Sequence, residues 1–127
     1  MTVSIDLSLK RNEARDLTEE INACLTGKKE GICLLNIMDS VCGLLMTKRG
    51  DERVVSDILT DMEHVFPDRR SYKVKEEDMA AFTKSAVFGS HKAIPYKDGR
   101  LLLEEGTGIF AVCYGNDTET ALEIGVL

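Results

Sequence analysis

Six residues carry most of the chemistry this sequence offers: Asp39, Ser40, Cys42, Lys48, Lys84 and Arg100. Asp39 and Ser40 bring a carboxylate and a hydroxyl. Cys42 brings a thiol that would turn nucleophilic if the Lys48 ammonium lowered its pKa. These three are the candidates for any catalytic step. Lys48, Lys84 and Arg100, with Ser40 as a donor, would suit a phosphate or a carboxylate, because charge-assisted bonds to anions are the strong ones. A plainer reading leaves the cations in solvent and pairs Arg100 with Asp98 or with Glu104-Glu105. Serine beside aspartate in a turn commonly bonds backbone, and a cysteine inside a strand is commonly a small apolar residue. Ser85 and Ser90 complete the polar inventory.

His91 could be imagined as a base for Ser40, but the spacing gives that no support. His64 belongs to the last turn of a helix, where a cation complements the helix dipole. No cysteine forms a CxxC pair and neither histidine is near a cysteine, so no metal site is expected. Gly106-Thr107-Gly108 lacks the Lys-Ser or Lys-Thr ending of a phosphate loop.

The elements that must hold these residues can be read from periodicity. Val3, Ile5, Leu7 and Leu9 alternate with Thr2, Ser4, Asp6 and Ser8, a half-buried strand. Asp16 followed by Glu19 suggests a capping box for a helix whose apolar face is Leu17, Ile21, Cys24 and Leu25, ended by Gly27. Gly31 to Ile37 is nearly all apolar, which predicts a central strand covered on both faces. Val41 to Thr47 resumes as a second buried strand, with Gly43 marking a bulge or a close backbone approach. Lys48 to Asp51 reads as a charged turn. Val54, Val55, Ile58, Leu59, Met62, Val65 and Phe66 then keep a helical period until Pro67. Tyr72 to Lys75 is a short strand at best.

Asp78 is placed to cap a helix that Gly89 ends after Phe88. Pro95 limits the strand it sits in to an edge or an early stop, and Asp98-Gly99 is a strong hairpin signal. Ile109 to Tyr114 reads as a buried strand, Gly115 to Asp117 as a turn, and Leu122, Ile124 and Val126 as the inward face of a last strand. The predicted class is α+β: one domain, a largely antiparallel, sandwich-like sheet and about three helices.

With 127 residues the chain can bury a core without disulfide or metal staples. A formal charge of −6 argues against nucleic-acid or anionic-membrane partners, which would want a basic face. No apolar run is long enough for a signal peptide or a membrane span, so the cytoplasm is expected, and with it four reduced cysteines. Cys33 and Cys42 would be the first pair to test for a bridge, as their strands look like hairpin partners. No cofactor is implied.

Asp78-Met79, Lys84-Ser85, Gly89-Ser90, Pro95, Gly99-Arg100-Leu101 and Gly108-Ile109, in that order, resemble the YjbQ-like family, whose members are often labelled secondary thiamine-phosphate synthases. The similarity runs from Ile5 to the C-terminus. It implies the α+β fold and a homotrimer. It also implies a pocket built from three histidines and a glutamate. In this chain the histidine positions fall on Asp39, near Val74 and on Phe82, the glutamate falls on Lys48, and the family's Gly-Thr-Trp-Gln becomes Glu104-Glu105-Gly106-Thr107. Imidazole can move a proton near neutral pH or bind a metal; valine and phenylalanine can do neither. The resemblance therefore points to a catalytically degenerate trimer with a binding or structural role and a small anion as its expected ligand. The alternative is an enzyme acting on a phosphorylated small molecule.

Overall fold

Strict alternation of apolar and polar residues lays β1 (Thr2–Leu9) along one edge of a sheet, its apolar side inward. The computed structural model describes residues 1–69, 71–74 and 78–127. After β1 come β2 (Ala14–Asp16), α1 (Thr18–Leu25), β3 (Glu30–Ile37), β4 (Cys42–Lys48) and α2 (Glu52–Val65). They are followed by α3 (Met79–Phe88), β5 (His91–Lys97), β6 (Arg100–Leu101), β7 (Thr107–Cys113) and β8 (Thr118–Val126). The strands form a five-stranded sheet, β1-β8-β3-β5-β6, and a three-stranded sheet, β2-β7-β4, with every ladder antiparallel. The α+β class with three helices is thus the observed one. Among the described residues no helix is long and apolar enough to cross a membrane.

Register assigns the faces. Cys33, Leu35 and Ile37 of β3 stand beside Ile94 of β5 and Leu122, Ile124 and Val126 of β8, all of them buried. Ile109, Ala111 and Cys113 of β7, opposite Met46, Leu44 and Cys42 of β4, are fully buried on the corresponding face of the second sheet. The opposite face of that sheet carries Phe110, Val112 and Tyr114, the last packed on Phe88 of α3.

Several local expectations are corrected. β3 is covered on one face only: Ile32 is 37% and Leu34 41% exposed, level with the exposed Pro95 and Ala93 of β5. β3 and β4 are not hairpin partners but lie in different sheets, so Cys33 faces Ile94 and Val126 while Cys42 faces Cys113. The Asp16–Glu19 capping box does not form; Leu17 is the cap residue, and Glu19 turns to Arg49 and Arg100. Asp78 precedes α3 but makes no side-chain cap bond, its Oδ1 accepting instead from the Asn116 amide at 3.3 Å. The side-chain cap that does form is at Asp51, which accepts from Arg53 N at 3.1 Å and starts α2. Tyr72 to Val74 forms no strand, and Lys75 lies outside the described residues.

Other local signals hold. Gly89 ends α3 with φ +88°. Asp98 and Gly99 both have positive φ, 52° and 75°, as a two-residue I′ hairpin turn requires. Pro95 sits beyond the reach of the two-residue β6, and its carbonyl accepts from Leu102 N. Its missing N–H falls on that same open side, where no ladder partner needs it.

Gly31 shows how tightly β3 is closed. A Cβ there would run into the Leu127 carbonyl and lie 2.8 Å from the Tyr96 hydroxyl. Gly31→Ala should therefore destabilise the fold by about 1–3 kcal/mol through overpacking, seen as a lower urea midpoint at unchanged m. Gly125→Ala, whose nearest neighbour would be Leu34 at 3.6 Å, should move the midpoint much less.

Candidate functional site

Asp39 and Ser40 form the turn that enters β4. The Asp39 carboxylate accepts from the Val41 amide at 3.0 Å, an Asx-type local bond, while Ser40 is exposed. Cys42 is fully buried. Burial pushes its thiol pKa well up, and the negative charge of Asp39 acts in the same direction. Lys48 cannot offset this. It stands at the far end of β4, six residues and roughly 20 Å along the strand. The Cys42 sulfur is thus a packed thiol rather than a poised nucleophile.

The helix beside this turn is held to it by Ser85, whose hydroxyl donates to the Cys42 carbonyl at 2.6 Å, and by Leu44 N, which donates to the Gly89 carbonyl at 3.1 Å. Gly43 permits the approach: a Cβ would lie 2.9 Å from that carbonyl and 3.0 Å from the Tyr114 ring. The Tyr114 hydroxyl is buried there without a hydrogen-bond partner. Phe82 of α3 is partly buried against the core, and Val74 is 51% exposed. Neither offers a lone pair. Among the described residues no three His, Cys, Asp or Glu side chains come together as metal ligands.

Lys84 is not on a solvent-facing rim. It is 2% exposed, and its ammonium is held by Glu63, so it stitches α3 to α2. Arg100 is largely exposed and engages Glu19 at 3.3 Å, not Asp98 or the Glu104-Glu105 pair. Arg49 donates to the same Glu19 oxygen at 3.2 Å, and its Nε lies 2.7 Å from Asp16 Oδ2. Lys84 and Arg100 thus belong to separate ion-pair clusters, and Lys48 is exposed at the end of β4.

The most connected polar cluster was not evident in the sequence. Asp16 Oδ1 accepts from the Thr18 amide at 2.9 Å and the Thr18 hydroxyl at 2.6 Å, and Thr18 Oγ1 accepts from Ile109 N at 2.9 Å. Partial burial pushes the Asp16 carboxyl upward, but the Thr18 and Arg49 hydrogen bonds outweigh it and hold the group below its usual range. Gly108 was the available signal, since a Cβ there would lie 2.5 Å from Thr18 Oγ1 and 3.0 Å from Arg49 Cδ. The cluster opens onto a cleft of about 830 Å³ between α2 and β2, floored by Phe110, Val55 and Leu59. Five carboxylates and two guanidiniums line it, so it is not a ready anion trap.

Two outcomes follow from these pairs. Glu63→Gln leaves a buried ammonium without a counter-charge and should cost on the order of 3 kcal/mol. Lys84→Met leaves only a carboxylate that water can reach and should cost about 1 kcal/mol or less; chemical denaturation of both variants gives the order. Asp16 has a depressed folded pKa, so its contribution is complete above the ordinary value of 3.8 and is lost as pH falls through the folded value. The stability difference between wild type and Asp16→Asn should therefore be constant at neutral pH and shrink below about pH 4.

The family model described as "UPF0047 protein YjbQ-like" matches residues 3–120. A UPF0047 protein of Methanocaldococcus jannaschii is 29% identical over 103 residues, covering 80% of this chain and 75% of that protein. Among solved structures, an uncharacterised YjbQ/UPF0047 protein of Clostridium acetobutylicum superposes with TM-score 0.92 at 21% identity, covering 98% of this chain and 99% of that one. A conserved hypothetical protein of Thermus thermophilus gives TM-score 0.91 at 22% identity over 98% and 99%. With the sequence match and the shared fold together, this chain belongs to the UPF0047 (YjbQ-like) family.

Proposed function

We propose that this protein is a non-catalytic, cytoplasmic homotrimer of the YjbQ-like family that binds a small anion between its copies. The observation that carries the reading is the chemistry at the resembled pocket positions. Phe82 and Val74 supply no proton donor or lone pair, Asp39 is used by a backbone amide, and Lys48 brings positive charge where the family has a glutamate. The Cys42 thiol, buried and raised in pKa, is a poor nucleophile, and Ser40 is left exposed with no base shown beside it among the described residues.

The geometry of β4 favours a shared site. Asp39 and Ser40 precede one end of the strand and Lys48 occupies the other, so the two sets can meet only when they come from different copies. The exposed apolar face of β3 and β5, with Ile32, Leu34, Ala93 and Pro95, is a surface on which a second copy would bury apolar area. Lys48 is exposed to an anion, with Ser40 as a donor; Arg100 joins them by leaving Glu19, and Lys84 only by leaving Glu63.

Light scattering should return three times the 14.1 kDa chain mass. Leu34→Arg should lower it, and a monomeric wild type would reject the assembly. Calorimetry with sulfate or phosphate should show saturable binding that Lys48→Ala and Arg100→Ala each weaken about ten- to a hundredfold. Turnover of thiamine phosphates or another phosphorylated small molecule would overturn the non-catalytic reading in favour of an enzyme.

A further inference from the structure

We propose that Cys42 and Cys113 are a covalent modification site, a thiol pair that closes to a cross-strand disulfide by exchange with a small disulfide such as oxidised glutathione. The two residues are direct register partners in the β4–β7 ladder. Tyr114 N donates to Val41 O, whereas Leu44 N points away from β7 to Gly89. The pair at Cys42 and Cys113 therefore occupies a non-hydrogen-bonded position, where opposed Cα atoms stand about 4.5 Å apart. That lies within the separation of about 4.4–6.8 Å that a disulfide spans. Both side chains share one face of the sheet, fully buried with Leu44 and Ala111. Neither Cys33, in the other sheet, nor Cys24, on α1, is a ladder partner of Cys42 or Cys113.

Burial sets the rate rather than the geometry. Both thiols are closed to solvent, and burial pushes Cys42 upward in pKa, so exchange requires the strand end to open. Cys113 is the one nearer the surface turn, its S–H donating to the Asn116 carbonyl at 3.2 Å beside the exposed Asn116 and Asp117. Its thiolate attacks one sulfur of the small disulfide, forming a mixed disulfide and releasing one glutathione. The Cys42 thiolate then attacks the Cys113 sulfur and expels the second glutathione. The two protons leave the cysteines and end on two glutathione thiols, so the protein is oxidised by two electrons and the small disulfide reduced by two. The bond would tie the Asp39–Ser40 turn to the turn after β7.

The test refolds the unaltered protein in a series of glutathione redox buffers, followed by alkylation and peptide mass mapping. One bridge, Cys42–Cys113, is expected, with Cys24 and Cys33 still alkylated. The bridged fraction should rise from a tenth to nine tenths over about a hundredfold change in the ratio of oxidised glutathione to squared reduced glutathione. The bridged protein should have a higher urea midpoint, and Cys24→Ala/Cys33→Ala, which spares both bridge thiols, should give the same curve. Absence of a bridge in the most oxidising buffer, a bridge through Cys24 or Cys33, or an unchanged midpoint would each overturn the proposal.

Discussion

The Asp16 carboxylate is the point at which four parts of the chain are tied. It ends β2, receives the first amide of α1 through Thr18, takes the Arg49 guanidinium from the junction between β4 and α2, and reaches β7 through the Thr18 hydroxyl and the Ile109 amide. Each bond satisfies a group that would otherwise be costly to leave unpaired near the interior. The absence of a side chain at Gly108 makes the convergence possible. A second tie, Lys84 to Glu63, fixes α3 against α2. Between them these contacts set the walls of the cleft beside α2.

Much of the scaffold could be read directly because its signals are local. Alternation in β1, the helical period of α2, Gly89 after Phe88 and Asp98-Gly99 each depend on residues close in sequence. Short pieces escaped: β2 is three residues with Arg15 at its centre, too short to alternate. Other misreadings share one cause, which is that sequence gives apolarity but not what covers it. Gly31 to Ile37 reads as a strand buried on both sides, yet Ile32 and Leu34 face outward. The site was less legible still. Nothing local marks Lys84 as buried, because its partner Glu63 lies a helix away, and nothing marks Arg49 as the partner of Asp16, 33 residues earlier.

The solved structures share this chain's fold at low sequence identity. TM-scores near 0.9 at about 20% identity show that the backbone arrangement is shared while most side chains differ. Fold and function are separable for this reason. In this chain the Asp39 carboxylate serves a structural use, accepting from the Val41 amide and so defining the turn into β4.

The open side of β5 is one margin of the sheet where strand-by-strand polymerisation could start. A strand edge with free N–H groups templates addition of another chain, the first step toward fibres. Here β6 covers only Tyr96 and Lys97, and Pro95 withholds its donor immediately beyond, so the ribbon ends in a blunt margin. Contact through the apolar face of β3 remains available while end-to-end strand addition at this margin is disfavoured. The sheet can thus present a sticky surface in one direction and an inert border in another, a condition that closed assemblies need and open filaments lack.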